Sequence, residues 1–142
     1  MGPGQMDPEI QAWMQEMYGT MHSMWGVYAY GPYALLQKKA DLALTADQVS
    51  NLEKLAAEVK TATQHAKAEH DTRRARIAEE FKLARPDPAK VKADGQEAVQ
   101  DMAALHGVML SAAARAKGLL TDAQRAKVDA SIDQRPGPGP RR

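Results

Sequence analysis

The chain has 142 residues, a formal net charge of +1 and no cysteine. This length supports one domain with a modest core, and the lack of cysteine excludes disulfides and thiolate metal sites. The nearly balanced charge argues against a dedicated nucleic-acid binder, because such proteins carry a basic patch or stripe. Alanine, lysine, glutamate, glutamine and leucine dominate the middle of the chain, so its composition favours helices over strands.

The sequence also bears on where the protein resides. No stretch approaches the ~18 consecutive apolar residues that a transmembrane helix needs. The first residues, Met-Gly-Pro-Gly-Gln, lack the basic and apolar regions of a secretory signal. We therefore expect either a cytoplasmic protein or a chain from which a leader or anchor has been removed.

Residues 1–31 are predicted to contain a helix rich in methionine and aromatic residues. Asp7-Pro8 is typical of a helix start, with an N-cap followed by proline at the first helical position. Apolar residues then recur at alternating steps of four and three, which is a heptad pattern: Ile10, Met14, Met17, Met21, Met24 and Tyr28. Gly31-Pro32 is predicted to end this helix.

Residues 32–133 are predicted to form a helical hairpin flanked by short helices. A short helix from about residue 33 to 42 precedes the sequence Leu44-Thr45-Ala46-Asp47-Gln48. Here Thr45 can cap the Gln48 amide while the Gln48 side chain returns to the Thr45 amide, which is the reciprocal capping box. The long helix that follows keeps heptad spacing at Val49, Leu52, Ala56, Val59, Thr63, Ala66, His70, Arg73 and Ile77.

The prolines of Arg85-Pro86-Asp87-Pro88 must end that helix, because proline removes a donor and restricts the residue before it. The next helix has heptad spacing at Ala98, Met102, Leu105, Met109, Ala112, Ala116 and Leu119. A second capping box, Leu120-Thr121-Asp122-Ala123-Gln124, opens a last short helix, and the proline-rich tail, 134–142, is expected to be disordered.

The predicted fold class is therefore all-α, a long antiparallel helical hairpin with short flanking helices. A lone hairpin of this length exposes apolar positions along most of its face, so a homodimer is also expected.

The arrangement of two such boxes around one long hairpin resembles the LTxxQ family of bacterial periplasmic proteins, which includes Spy, CpxP, ZraP and the metal sensor CnrX. The resemblance covers roughly residues 33–132 and extends to a basic middle containing Arg73, Arg74 and Arg76. It implies four helices, a cradle-shaped antiparallel dimer and a periplasmic location after leader cleavage. It also implies an ATP-independent chaperone, a regulator that acts on a sensor kinase or anti-sigma partner, or a detector of zinc, nickel, cobalt or copper stress.

The chain departs from the nickel and cobalt sensors of that family at their metal ligands. Those sensors have paired histidines before the first box and a His-xxx-Met pair in the third helix. Here His22 stands alone, and the third helix has His106-Gly-Val-Met109 instead. No metal site is carried over from those sensors.

Methionine sulfur is a soft ligand suited to Cu(I) or Ag(I), so the methionines are candidate ligands. Met17 and Met21 share a helix face, with His22 about 120° around the helix from that face. Met102, His106 and Met109, at steps of four and three, form a second candidate set for copper, with zinc, nickel and cobalt less suited. The alternative at both places is that methionine only fills apolar contacts between helices, which the heptad phase favours.

His70, Arg73 and Ile77 keep the heptad phase of the long helix and are assigned to a dimer contact. A histidine there would make dimerisation sensitive to pH near ~6.5, and the alternative is a hydrogen-bonded interfacial histidine. The charged run from Lys67 to Lys82 could bind acidic or unfolded clients, although a run of mixed charge is usually a solvated face.

No pattern in the sequence indicates catalysis, since there is no phosphate-binding loop, HExxH or nucleophile elbow. The sequence therefore predicts a non-enzymatic protein. The first hypothesis is a periplasmic, metal- or envelope-stress-responsive binding protein that uses Met and His. The second is an ATP-independent holdase for unfolded proteins, and the third is a purely structural helical adaptor. An exposed methionine face favours the first two, and a buried one favours the third.

Overall fold

The computed structural model describes residues 7–9, 12 and 24–134. Those residues contain no strand and five helices. The helices are α1 (Trp25–Tyr28), α2 (Pro32–Gln37), α3 (Ala46–Phe81), α4 (Pro88–Gly118) and α5 (Asp122–Asp133). The two long helices α3 and α4 pack against each other, so the predicted all-α hairpin is confirmed.

Side-chain caps start the helices where the sequence predicts them. Thr45 and Thr121 each accept a hydrogen bond from the backbone N–H three residues on, and both boxes have the returning glutamine bond. Asp87 accepts from the Ala89 amide at 2.9 Å at the start of α4. Asp7 accepts from the Glu9 amide at 2.8 Å. These bonds satisfy backbone donors that have no partner inside a helix, and so they fix where each helix begins.

The main core lies at the base of the hairpin, where α3 begins and α4 ends. Leu35 of α2, Leu52 of α3 and Val128 of α5 have almost no solvent exposure. Around them lie Ala29, Tyr30, Leu42, Leu55, Ala113, Ala116 and Leu120. The short helices therefore serve to cover the base, and they do not extend along the hairpin.

The far half of the hairpin is thinner. Among the described residues it consists of α3 and α4 alone, joined through residues 82–87. Large apolar side chains remain exposed there: Phe81 at 62%, Leu83 at 55%, Val99 at 69% and Met102 at 47%. The sequence left open whether Met102 is a metal ligand or only fills apolar contacts. Among the described residues its side chain is exposed, because two helices alone do not cover that side of α4.

The N-terminal helix was predicted from a heptad pattern that falls largely on residues outside those described. Met24 and Tyr28 are described, and α1 carries Tyr28 against α4. None of the described helices is both long enough and apolar enough to cross a membrane.

Candidate functional site

The two capping boxes meet at the base of the hairpin. The Gln48 side-chain carbonyl accepts from the Thr45 amide at 2.9 Å, which completes the first box. The Gln48 amide group donates to the Gln124 carbonyl at 2.8 Å and to the Leu119 backbone carbonyl at 2.9 Å. One side chain therefore joins a helix start to the end of α4 and to the second box.

Gln124 repeats this arrangement from the other side. Its side-chain carbonyl accepts from the Thr121 amide at 2.9 Å, and its amide group donates to the Gln48 carbonyl and the Leu42 backbone carbonyl, each at 3.1 Å. Gln124 is 8% exposed. Sequence reasoning predicted each box separately and missed the hydrogen bonds between Gln48 and Gln124. The available signal was that each box ends in a glutamine.

His106 is held in contact with α1. Its Nδ1 lies 2.5 Å from the Tyr28 hydroxyl oxygen, and the two rings meet edge to face with centroids 5.8 Å apart. A tyrosine hydroxyl can donate to Nδ1 or accept from Nδ1–H. In the second tautomer the Nε2 lone pair is available to a metal ion, and the tyrosine orients the ring as an outer partner.

The predicted partners of His106 lie on the same helix with different exposure. Met102 is exposed and Met109 is half-buried. Steps of four and three place all three side chains along one side of α4. Met17, Met21 and His22 lie outside the described residues, so whether they approach this face remains a prediction.

Carboxylate and histidine ligands do not gather into a metal site in the described ranges, 7–9, 12 and 24–134. No group of three or more His, Asp or Glu side chains there is arranged to hold an ion. A soft site of thioethers with one imidazole has a different ligand set. The Met102, His106 and Met109 set is a candidate of that second kind.

Arg73 lies between the two long helices. Its guanidinium donates to Asp101 at 2.7 Å and to Glu97 on α4, and it lies 3.5 Å from Glu69 on its own helix. The side chain is 16% exposed, and the hydrogen bond to Asp101 raises the pKa of Arg73 above its usual range. Arg73 therefore ties the hairpin together within one chain, and its assignment to a dimer contact remains a prediction.

His70 and Ile77, the other residues assigned to the dimer contact, are half-buried. The Nδ1 atom of His70 is buried, with no hydrogen-bond partner among the described residues. The dimer and its response to pH remain predictions.

The charged run from Lys67 to Lys82 is largely neutralised by local pairs. Lys67 lies 2.7 Å from Asp71, and this hydrogen bond holds the pKa of Asp71 below its usual value. Arg76 lies 3.7 Å from Asp94 on α4, and Lys82 lies 2.6 Å from Glu79. These pairs favour a solvated face of mixed charge over a basic surface for acidic clients.

Comparison with known proteins gives one result. A family model described as LTXXQ motif family protein matches residues 35–131, which is more than half of the chain. No curated protein and no solved structure matches the chain.

Proposed function

We propose that this chain, which belongs to the LTXXQ motif family, is a periplasmic, metal- or envelope-stress-responsive binding protein that binds a soft metal ion through methionine and histidine. The observation that carries the proposal is the exposure of Met102, at 47%, on the face of α4 that also bears His106 and Met109. A methionine used only for packing is expected to be covered. This one is accessible to an ion from solvent.

The residues fit a soft ion by their chemistry. Two thioethers and one imidazole form a neutral ligand set that suits Cu(I) or Ag(I) better than Zn(II). Tyr28 contacts the His106 ring at Nδ1, so in the Nδ1–H tautomer Nε2 keeps its lone pair for a metal ion. Since thioethers bind without releasing a proton, affinity should depend on pH mainly through His106.

A titration with Cu(I) against a competing chelator tests this proposal. We expect measurable affinity in the wild-type chain and its loss in His106→Gln and in Met102→Leu/Met109→Leu. Leucine keeps a similar apolar volume, so lost binding would report ligation rather than unfolding. The matched control is His65→Gln, at an exposed histidine on the other long helix, α3, and it should leave affinity unchanged.

The pair Met17→Leu/Met21→Leu tests whether the N-terminal methionines contribute to the same site. Weak binding that is equal in the wild type and in every variant would contradict the proposal. The methionines would then only fill apolar contacts between helices.

The second candidate function is an ATP-independent holdase, and the exposed apolar side chains of the far hairpin favour it. Phe81, Leu83 and Val99 are each more than half exposed, and charged residues surround them on the long helices. Exposed apolar groups on a charged surface can hold unfolded chains while the protein itself stays soluble. The same exposure argues against a purely structural adaptor.

Suppression of the aggregation of a thermally unfolding client, measured by light scattering without ATP, tests this second candidate. Phe81→Ser/Val99→Ser should weaken suppression, while Ala78→Ser/Ala103→Ser, at exposed alanines of the same helices, should not. Wild-type protein that fails to delay aggregation would exclude the holdase function for that client.

A further inference from the structure

A cavity of about 330 Å³, widely open to solvent, lies beside the core, between α1, α4 and the end of α5. Its apolar wall is formed by Val27 of α1, Leu110 and Ala113 of α4, and Ile132 of α5. At ~30 Å³ for each water-sized group, this volume equals about ten non-hydrogen atoms. The cavity shares no residue with the methionine and histidine face on α4.

One cation stands at the cavity. The Lys117 ammonium lies 4.6 Å from the centroid of the Tyr30 ring, and both residues line the cavity. The ring attracts the ammonium through its negative face and so limits where the lysine can reach. Lys117 is exposed, and its ammonium group has three donors to offer. An anionic ligand would therefore find a positioned partner.

The other polar residues that line the cavity, Tyr30 and Asp129, are hydrogen-bonded to each other. The Tyr30 hydroxyl donates to Asp129 Oδ1 at 2.5 Å and lies 3.1 Å from the Arg125 carbonyl oxygen. Burial and the bond to Asp129 raise the pKa of Tyr30 to about 12, so the phenol stays neutral. Asp129 repels an anion on its side of the ring, which directs a negative group toward Lys117.

We propose that this cavity binds a small apolar carboxylate, whose hydrocarbon part contacts Val27, Leu110 and Ile132 while its carboxylate pairs with Lys117. Small-ligand sites commonly combine an apolar wall with a few placed polar groups, and ~300 Å³ is the lower end of their usual size. The same chemistry is found in a free carboxylic acid and in the C-terminal residue of a peptide that ends in an apolar side chain. Both ligands would place the same carboxylate and apolar group in the cavity, but the peptide would also extend out of it.

Gly26 provides a way to fill the cavity without changing its charge. A Cβ atom placed there would lie 3.9 Å from Ile132, which is ordinary contact. Gly26 lines the cavity within helix α1, where leucine has a better helix propensity than glycine. Gly26→Leu should therefore fold and occupy the space that the ligand needs.

The test is a titration of the full chain with 3-phenylpropanoate, followed by amide chemical shifts. We expect saturable shifts at Val27, Lys117 and Ile132 in the wild type. Lys117→Gln should weaken binding roughly tenfold, because a charge-assisted contact is lost. Asp129→Asn should tighten binding by removing the repelling charge, and Gly26→Leu should abolish it. Lys60→Gln, at an exposed lysine of α3, is the matched control and should have no effect.

Comparing several ligands separates the contribution of the carboxylate charge from that of the apolar group. It also distinguishes a free carboxylic acid from a peptide C-terminus. The uncharged 3-phenylpropanamide should bind more weakly than the acid. Octanoate represents a free carboxylic acid, and a short peptide ending in phenylalanine, with a free or an amidated C-terminus, represents a chain end. The proposal is overturned if the wild type shows no saturable shift, if the amide binds as tightly as the acid, or if Gly26→Leu leaves binding unchanged.

Discussion

Gln48 and Gln124, 76 residues apart, exchange amide hydrogen bonds of 2.8 and 3.1 Å while each also completes the capping box of its own helix. The starts of α3 and α5 are thereby brought together. Helix starts carry a partial positive charge and unpaired N–H groups, so their approach needs acceptors between them. The two glutamine carbonyls supply those acceptors, and the two amide groups also donate to the backbone carbonyls of Leu119 and Leu42.

Gln124→Ala should lower the free energy of unfolding by about 2–3 kcal/mol. The substitution leaves the buried Leu42 carbonyl and the part-buried Thr121 amide without their partners, and unmade buried hydrogen bonds are costly. Denaturant melts measure the change. Gln64→Ala, at an exposed glutamine of α3, is the control and should stay within about 0.5 kcal/mol of the wild type.

Thr45→Ala and Thr121→Ala should each cost about 1 kcal/mol, since each removes one N-cap hydrogen bond. Thr61→Ala, at an exposed position inside α3, provides the comparison. Melts in which neither cap variant is less stable than Thr61→Ala would mean that these hydroxyls do not contribute as N-caps.

Arg73→Ala should destabilise the hairpin more than the loss of an exposed arginine does, because Asp101 and Glu97 lose the cation that pairs with them between the helices. The neighbouring Arg74 is exposed, so Arg74→Ala should change stability by no more than about 0.5 kcal/mol. The contrast between adjacent arginines separates the pairing between the helices from the general loss of positive charge. Equal effects at both positions would contradict the role assigned to Arg73.

Tyr30 should make stability depend on alkaline pH. Its pKa is raised from 10.0 to about 12 in the folded chain by burial and by Asp129. The neutral phenol is thus favoured by folding, so this contribution is fully present below pH 10.0 and is lost as the pH rises through about 12. Over that range the wild type should lose stability faster than Tyr30→Phe, as measured by denaturant melts. Parallel losses in the two proteins would rule out this contribution.

The chain should form a dimer at micromolar concentration, as judged by sedimentation equilibrium. The exposed apolar side chains on the far hairpin, Val99 above all, provide the reason. Val99→Glu should weaken association, whereas Gln100→Glu, at an exposed polar position beside it, should not. A wild-type monomer with full helix content would show that one chain tolerates this exposure.

The helical hairpin could be predicted from the sequence because its signals are local. Heptad spacing indicates helices, threonine and glutamine three residues apart start them, and the prolines of 85–88 end the first long one. Each of these depends on residues within one turn of one another. The bounds of α3, α4 and α5 therefore follow closely from the pattern of residues.

The contacts between distant residues were decided by the tertiary structure. Heptad phase gives Met102 and Ala116 equivalent positions on α4, yet Met102 is exposed and Ala116 is buried, because the short helices cover only the base of the hairpin. The Gln48 and Gln124 pair, the position of Arg73 between helices and the cavity beside Lys117 likewise require elements far apart in sequence to meet. Sequence spacing determines which side of a helix a residue occupies, whereas packing determines what lies against that side.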